Sequence, residues 1–176
     1  LDWLGSDLMH VISGRSFLLL TFYGNYLANG LDTFGYHVVN IAIHILTAFL
    51  FYLLLIQFID RREEDHYHVR SLLAATLFLV HPINTESVTY ISSRSSELST
   101  LLLVASILLF ARSTSEDFRP TGYVLSLAAF LLGLATKISV AVAPPLLLLF
   151  DLYFLPREPA RKRRRFIYHL PFWVML

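Results

Sequence analysis

The chain has 176 residues, of which 56% are hydrophobic and 15% charged, and its formal net charge at pH 7 is +1. A soluble domain is usually about half apolar and a quarter charged, so this composition, with a mean hydropathy of +0.60, excludes an ordinary soluble domain. The near-neutral charge gives no basic field for nucleic acid, and the absence of cysteine excludes disulfides and thiolate metal sites within this segment.

Long apolar blocks indicate a polytopic membrane protein, and its spans must be helices because lipid offers backbone groups no other partner. We predict an all-α membrane helical bundle with five full spans and the start of a sixth. Since the chain begins at Leu1 and stops inside an apolar run, we expect residues 1–176 to form one transmembrane domain, incomplete at both ends.

Residues 1–35 mix apolar, aromatic and polar residues, and their longest apolar run is too short to cross a bilayer. Trp3, Tyr23 and Tyr26 suit a membrane interface. We predict an external interfacial segment of one or two amphipathic helices, closed by Asn29, Gly30 and Gly35.

The first predicted span covers residues 36–59, and the helical domain proper covers residues 36–176. His37, Asn40 and His44 share one helix face near the start of this span. They could form helix-packing hydrogen bonds or the polar wall of a cavity, and we expect them to face the bundle interior.

The other predicted spans follow in order. The second is 71–80, which His81 and Pro82 end or kink and which reaches full length only if residues from His66 are helical. The third is 98–111, with Glu97 at its mouth; the fourth is 122–135; the fifth is 138–155, kinked or entered by an extended piece at Pro144 and Pro145; the sixth begins at Phe166.

The connector between the second and third spans, residues 81–98, concentrates ionisable side chains. It carries His81, Glu86, Arg94 and Glu97 between two apolar runs. Charges at membrane depth are costly, so they usually face a cavity or one another. The connector is therefore the first candidate for a functional site.

Lysine and arginine are distributed unevenly between the two sides of the predicted bundle. Residues 157–165 are strongly basic, whereas the opposite side holds only Arg15, Arg94 and Lys137. The positive-inside rule places 157–165 in the cytoplasm and 81–98 on the external, luminal or periplasmic face. The external exceptions then gather on one face.

Arginine and lysine at the outer mouth of a helical bundle suit a phosphate, because arginine offers a planar fork and lysine a point charge. Arg94 and Glu97, three residues apart, could instead pair with each other. A metal is not expected, since no histidine pair but His37 and His44 shares a helix, and these are two turns apart.

Four stretches carry a family resemblance. HPINTESVTYISSRSSEL resembles the HP…TE…R signature of the transmembrane and tetratricopeptide-repeat O-mannosyltransferases and their bacterial relatives. GRSFLLLTFYGNYLANG, the YH-x-x-N-x-x-x-H run and GLATKISVAVAPPLLLLFDLYFL are similar to further motifs of that family, in the same order.

The resemblance implies a GT-C-type glycosyltransferase that moves a sugar, mannose-like, from a polyprenyl-phosphate carrier to a protein or other hydroxyl acceptor on the external face, without a cofactor. It implies that Arg94 and Lys137 bind the donor phosphate and that His81 and Glu86 shape the acceptor side. Supporting residues are Arg15, His37, Asn40, His44 and Glu97. The membrane is the bacterial inner membrane or the endoplasmic reticulum.

The family keeps its catalytic aspartate in the first external loop, which implies a position before Leu1; Asp2 and Asp7 are the candidates in this chain. Ser16 and Ile138 depart from the family pattern, which has proline and an acid there. Two other functions stay open: a transporter or flippase of a lipid-linked substrate, and a non-catalytic scaffold that carries repeats.

Overall fold

The computed structural model describes residues 2–58, 66–114, 118–154 and 159–176; within these ranges, the side chains of 2–14, 58, 153–154 and 159–166 are outside the description. All regular secondary structure in the described ranges is helical, which confirms the all-α prediction. The α-helices are α1 (Asp2–Asn29), α2 (Thr33–Phe58), α3 (Tyr67–Val80), α4 (Thr85–Thr89), α5 (Arg94–Thr114), α6 (Pro120–Leu134), α7 (Ala143–Phe154) and α8 (Pro159–Val174). Three short 3-10 helices cover Pro82–Asn84, Ile91–Ser93 and Ile138–Val142.

The helix boundaries follow local sequence signals. Gly30 takes a positive φ of 60° after α1, a conformation that favours glycine, and the Asp32 carboxylate accepts the Phe34 N–H at 3.1 Å at the start of α2. Val80 is the last residue of α3, as the following His81 and Pro82 predict. α1 is kinked at Arg15, whose φ and ψ are −144° and 29°.

α1 is one kinked helix that ends at Asn29, in agreement with the one or two helices predicted before Gly30. Several other predicted boundaries are wrong. α2 begins at Thr33 instead of residue 36, and α5 begins at Arg94, so Glu97 lies inside a helix instead of before one. A 3-10 helix, not an extended piece, precedes α7, where Pro144 and Pro145 occupy the first turn and need no intrahelical N–H partner. The last helix begins at Pro159, ahead of Phe166.

Among the described residues, two helices are long and apolar enough to cross a membrane, Thr33–Gln57 and Ile91–Thr114. The apolar helices Tyr67–Val80, Pro120–Leu134 and Ile138–Leu152 are shorter. α3 has 14 residues, about 21 Å at 1.5 Å per residue, which is less than a hydrocarbon core of about 30 Å. The prediction of five full spans therefore stays a prediction.

The core lies where α5 packs against α6, α7 and α8. Phe110, Phe130 and Phe172 are buried there, and the Phe172 ring meets the other two at centroid distances of 5.7 and 5.2 Å. Ser106 of α5 and Ser126 of α6 each donate a hydrogen bond to the other's carbonyl oxygen, at 3.0 and 2.7 Å. This packing fixes α5, whose opposite end carries Arg94 toward α1 and α2.

Candidate functional site

Arg94 is the centre of a buried polar cluster that joins α1, α2 and α5. Its side chain is 0% exposed. Nε donates to Asn40 Oδ1 at 2.8 Å, Nη2 to the Tyr36 carbonyl at 3.0 Å and Nη1 to the Thr21 carbonyl at 3.4 Å. The guanidinium carbon lies 4.4 Å from the centroid of the Phe22 ring and 5.5 Å from that of Tyr36, distances at which cation–π attraction operates.

This geometry corrects one prediction about Arg94. Glu97 does not hold the guanidinium, because its carboxylate is directed at His44 instead. The guanidinium is buried in this structure, and phosphate binding by Arg94 stays a prediction. Arg94 in this structure positions three helices.

His44 and Glu97 form a second contact between α2 and α5, one turn further along each helix. His44 Nδ1 lies 3.2 Å from Glu97 Oε2, and its Nε2 lies 3.1 Å from the Leu79 carbonyl. A ring N–H on either nitrogen can donate to the oxygen that it faces. The ring also stacks on Phe78 at 5.4 Å, so this contact brings α3 against the same face of α2.

Asn40 connects the cluster to the connector between α3 and α5. Its Nδ2 donates to the Tyr90 carbonyl at 3.2 Å, while its Oδ1 accepts from Arg94. Tyr36, Asn40 and His44 are spaced by four residues and share one face of α2. The sequence analysis predicted a polar stripe here but included His37 instead of Tyr36, whose contribution through a carbonyl and a ring face has no polar signature in the sequence.

An open groove of about 660 Å³ lies beside Phe22. Arg15, at the kink of α1, and His37 contribute its ionisable side chains; Arg15 is exposed and His37 is half-buried. The remaining lining residues are Leu18, Phe22 and the connector residues Thr89, Tyr90, Ile91 and Ser92. Phe22 therefore contacts both the groove and the Arg94 guanidinium, and Asn40 holds one wall of the groove through the Tyr90 carbonyl.

Lys137 lies beyond the end of α6, in the corner where α6 meets α1. The Phe17 N–H, just after the kink in α1, donates to the Ala135 carbonyl at 3.3 Å. Lys137 is half-buried and its Nζ donates to Ser96 Oγ at 2.9 Å. Because lysine has three donors, this bond leaves two for another acceptor. Ile138, at the position of the family acid, is 78% exposed.

The other predicted site residues are more peripheral. His81 is exposed, and its Nδ1 accepts the Ile83 N–H at 3.2 Å, so the ring caps a 3-10 helix. Glu86 is exposed in the first turn of α4. Asp2 and Asp7 belong to α1, but their side chains lie outside the described residues. In the described ranges, no cluster of three histidine, aspartate or glutamate side chains could hold a metal ion.

The chain is thus a helical protein with a polar cluster buried beside an open groove, and sequence comparison identifies its relatives. It is 34% identical to mouse protein O-mannosyl-transferase TMTC3 over 124 residues, which cover 70% of this chain and 13% of that protein. It is 35% identical to human protein O-mannosyl-transferase TMTC4 over 127 residues, which cover 66% of this chain and 17% of that protein. It is 32% identical to Drosophila melanogaster protein O-mannosyl-transferase Tmtc3 over 122 residues, which cover 61% of this chain and 13% of that protein.

The chain belongs to the family of TMTC protein O-mannosyl-transferases. It spans between 13% and 17% of the length of these three relatives. No protein-family model matches the chain. No solved structure matches it either.

Proposed function

We propose that the chain is part of a glycosyltransferase that moves a mannose-like sugar from a polyprenyl-phosphate carrier to a hydroxyl of a protein acceptor. In this reaction the bond between the anomeric carbon and the phosphate oxygen breaks and a bond to the acceptor oxygen forms. The hydroxyl proton goes to a general base, and polyprenyl phosphate leaves. The relatives named protein O-mannosyl-transferases support the class of reaction.

We place the protein in a membrane as a multi-pass protein, with residues 81–98 on the external or luminal face and 157–165 in the cytoplasm. The asymmetry of lysine and arginine supports this orientation. The outward faces of α2, α3 and α6 expose apolar side chains, among them Ile45, Leu72 and Val124, and such faces suit contact with lipid.

The observation that carries the proposal is the open groove with Arg15 at its rim. A carrier lipid needs a site that is polar for the phosphate and open to the bilayer for the tail. The groove combines an exposed cation and a half-buried histidine with the apolar side chains Leu18, Phe22 and Ile91. This combination fits a phosphate headgroup attached to an isoprenoid.

We assign phosphate binding to Arg15 and Lys137. Arg15 lies two residues before Phe17 and Lys137 two residues after Ala135, and the Phe17 N–H donates to the Ala135 carbonyl. The leaving phosphate gains negative charge as the glycosidic bond breaks, so a fixed cation stabilises the transition state more than the bound donor. Arg94 acts as a positioning residue through Phe22 and Tyr36. Glu86, exposed on the connector, is the acidic side chain we assign to the acceptor side.

The test is mannosyl transfer from polyprenyl-phosphate mannose by the full-length protein, with folding checked by gel filtration and thermal stability. Arg15→Gln and Lys137→Met should each lower kcat/KM by about 100-fold, the scale of losing one preorganised charge-stabilising group. Arg119→Gln is the matched control, because Arg119 is exposed at the far end of α6. Wild-type kcat/KM for folded Arg15→Gln and Lys137→Met would remove the groove from the reaction.

A further inference from the structure

The polar side chains that line the Arg15 groove differ in kind. Arg15 is a cation at the kink of α1. His37 of α2 and the connector residues Tyr90 and Ser92 are not permanently charged. Phosphate binding as proposed above uses only Arg15 among these four residues. The other three therefore have no assigned ligand, although they line the same groove.

His37 belongs to this groove and not to the Arg94 cluster. It follows Tyr36 on α2, so it is rotated by about 100° from the helix face that carries Tyr36 and Asn40. The Tyr36 carbonyl and the Asn40 side chain both bond to Arg94, which fixes α2 on either side of His37. The His37 ring is half-buried and makes no hydrogen bond to another described residue, so it is available to a ligand.

The connector side of the groove is held by its backbone. The Tyr90 N–H donates to the Glu86 carbonyl at 3.1 Å, and the Tyr90 carbonyl accepts from Asn40 Nδ2 at 3.2 Å and from the Ser93 N–H at 3.0 Å. The side chains of Tyr90 and Ser92 are exposed, and neither hydroxyl bonds to a residue that the structure describes. A fixed backbone that carries available hydroxyls loses little freedom when a ligand binds.

The hydrogen-bonding character of these side chains matches hydroxyls better than a phosphate. A neutral imidazole has one donor and one acceptor, and a phenol or serine hydroxyl likewise has both functions. A phosphodiester offers acceptors only, so it would leave the acceptor nitrogen of His37 without a partner. A sugar hydroxyl can donate and accept at once. The amphipathic ring of Tyr90 can in addition cover an apolar C–H face of a hexose.

We propose that His37, Tyr90 and Ser92 form the subsite for the sugar of the donor, with the His37 ring hydrogen-bonded to a sugar hydroxyl. This inference rests on the proposed function, because it takes the carrier phosphate to lie in the same groove. The sugar is bonded directly to that phosphate, so its subsite has to adjoin the cation. His37 and Arg15 line one groove of about 660 Å³, a volume within the range of small-molecule sites.

Binding of two lipids to the full-length protein in mild detergent tests the proposal. The lipids are polyprenyl-phosphate mannose and polyprenyl phosphate, which lacks the sugar. His37→Phe keeps a flat ring and removes both ring nitrogens. It should raise the Kd of the mannosylated lipid by about fivefold, the scale of one neutral hydrogen bond, and leave the Kd of the sugar-free lipid unchanged. Arg15→Gln should raise both Kd values.

His66→Phe is the matched control, because it makes the same substitution at an exposed histidine before α3; it should change neither Kd. Tyr90→Phe gives an independent test that does not depend on the folding of His37→Phe. It removes only an exposed hydroxyl and should weaken the mannosylated lipid alone, by about two- to threefold.

Two results would overturn the sugar subsite while the proposed function stands. An equal loss of affinity for both lipids in His37→Phe would make His37 a phosphate ligand. Unchanged Kd values for both lipids in His37→Phe and Tyr90→Phe would leave these residues without a part in donor binding. If the wild-type protein binds neither lipid, or if Arg15→Gln weakens neither, the groove is not the donor site, and the proposed function fails together with the subsite.

Discussion

Replacing Asn40 by leucine tests whether the buried cluster holds the site together. Asn40 is 0% exposed and bonds both Arg94 Nε and the Tyr90 carbonyl. Leucine has a similar volume, so the substitution removes two hydrogen bonds without opening a large cavity. It leaves the charged Arg94 Nε donor unpaired inside the bundle, whereas the Tyr90 carbonyl keeps the Ser93 N–H as a donor at 3.0 Å.

The expected loss comes mainly from the unpaired Arg94 Nε. A buried group left unsatisfied costs about 1–3 kcal/mol, with charged groups at the upper end. Interhelical hydrogen bonds in membranes average about 0.6 kcal/mol, which sets the scale of the lost bond to Tyr90 and of a smaller penalty at Arg94. We therefore expect Asn40→Leu to lower the free energy of unfolding by about 1–3 kcal/mol.

Thr47→Val is the matched control on the same helix. Thr47 is 1% exposed, but its hydroxyl donates to the Ile43 carbonyl within α2 at 2.8 Å. That carbonyl keeps its helical N–H partner when the hydroxyl is lost, so the expected cost is below about 1 kcal/mol. The comparison separates the loss of an interhelical contact from the loss of a buried polar group.

The assay is unfolding of the full-length protein in mild detergent, measured for both variants and for a cycle with Arg94→Met. Because Arg94→Met removes the charged donor, Asn40→Leu should cost less in that background, with a coupling energy above about 0.5 kcal/mol. If Asn40→Leu costs no more than Thr47→Val and the cycle shows no coupling, the Arg94 cluster does not stabilise the fold as we argue.

Two further predictions concern topology and packing. A cysteine at Ser92, exposed on the connector, should react with a membrane-impermeant maleimide from the external side, and labelling only from the cytoplasmic side would reverse the orientation. Gly133→Ala should destabilise the protein by about 1–3 kcal/mol, because a Cβ there meets the buried Val140 side chain at 2.8 Å. Gly24→Ala, with open space around it, should be neutral or stabilising by up to about 1 kcal/mol; equal costs at both glycines would contradict the packing described.

Hydropathy and breaker residues predicted the helices because these signals are local. The end of α3 at His81 and Pro82, the turn at Gly30 and the apolar length of α2 can each be read from a few neighbouring residues. The short 3-10 helices of the connector could not, since their residues would suit a loop equally well. They take shape where His81 and Asn40 supply hydrogen bonds to the connector backbone.

The site was harder to predict because its partners are distant in sequence. Spacing alone made Glu97 the natural partner of Arg94, but packing brought Asn40 and the Tyr36 and Thr21 carbonyls to the guanidinium instead. Backbone carbonyls and ring faces leave no trace in a pattern of charged residues. The sequence analysis correctly placed Asn40 and His44 on the polar face of α2. It named His37 as the third residue, whereas the structure has Tyr36 there.

Burial does not make Arg94 electrostatically irrelevant to the groove. Its three hydrogen-bond acceptors are neutral oxygens, and Glu97 is directed at His44, so none of the carboxylates that the structure describes contacts the guanidinium. Phe22, whose ring centroid lies 4.4 Å from the guanidinium carbon, is itself a lining residue of the groove, so this charge lies close to the groove. Protein surroundings screen a charge less than water does, so Arg94 and Arg15 together favour an anion in the groove. The same residue thus fixes the helices that shape the groove and contributes to its positive potential.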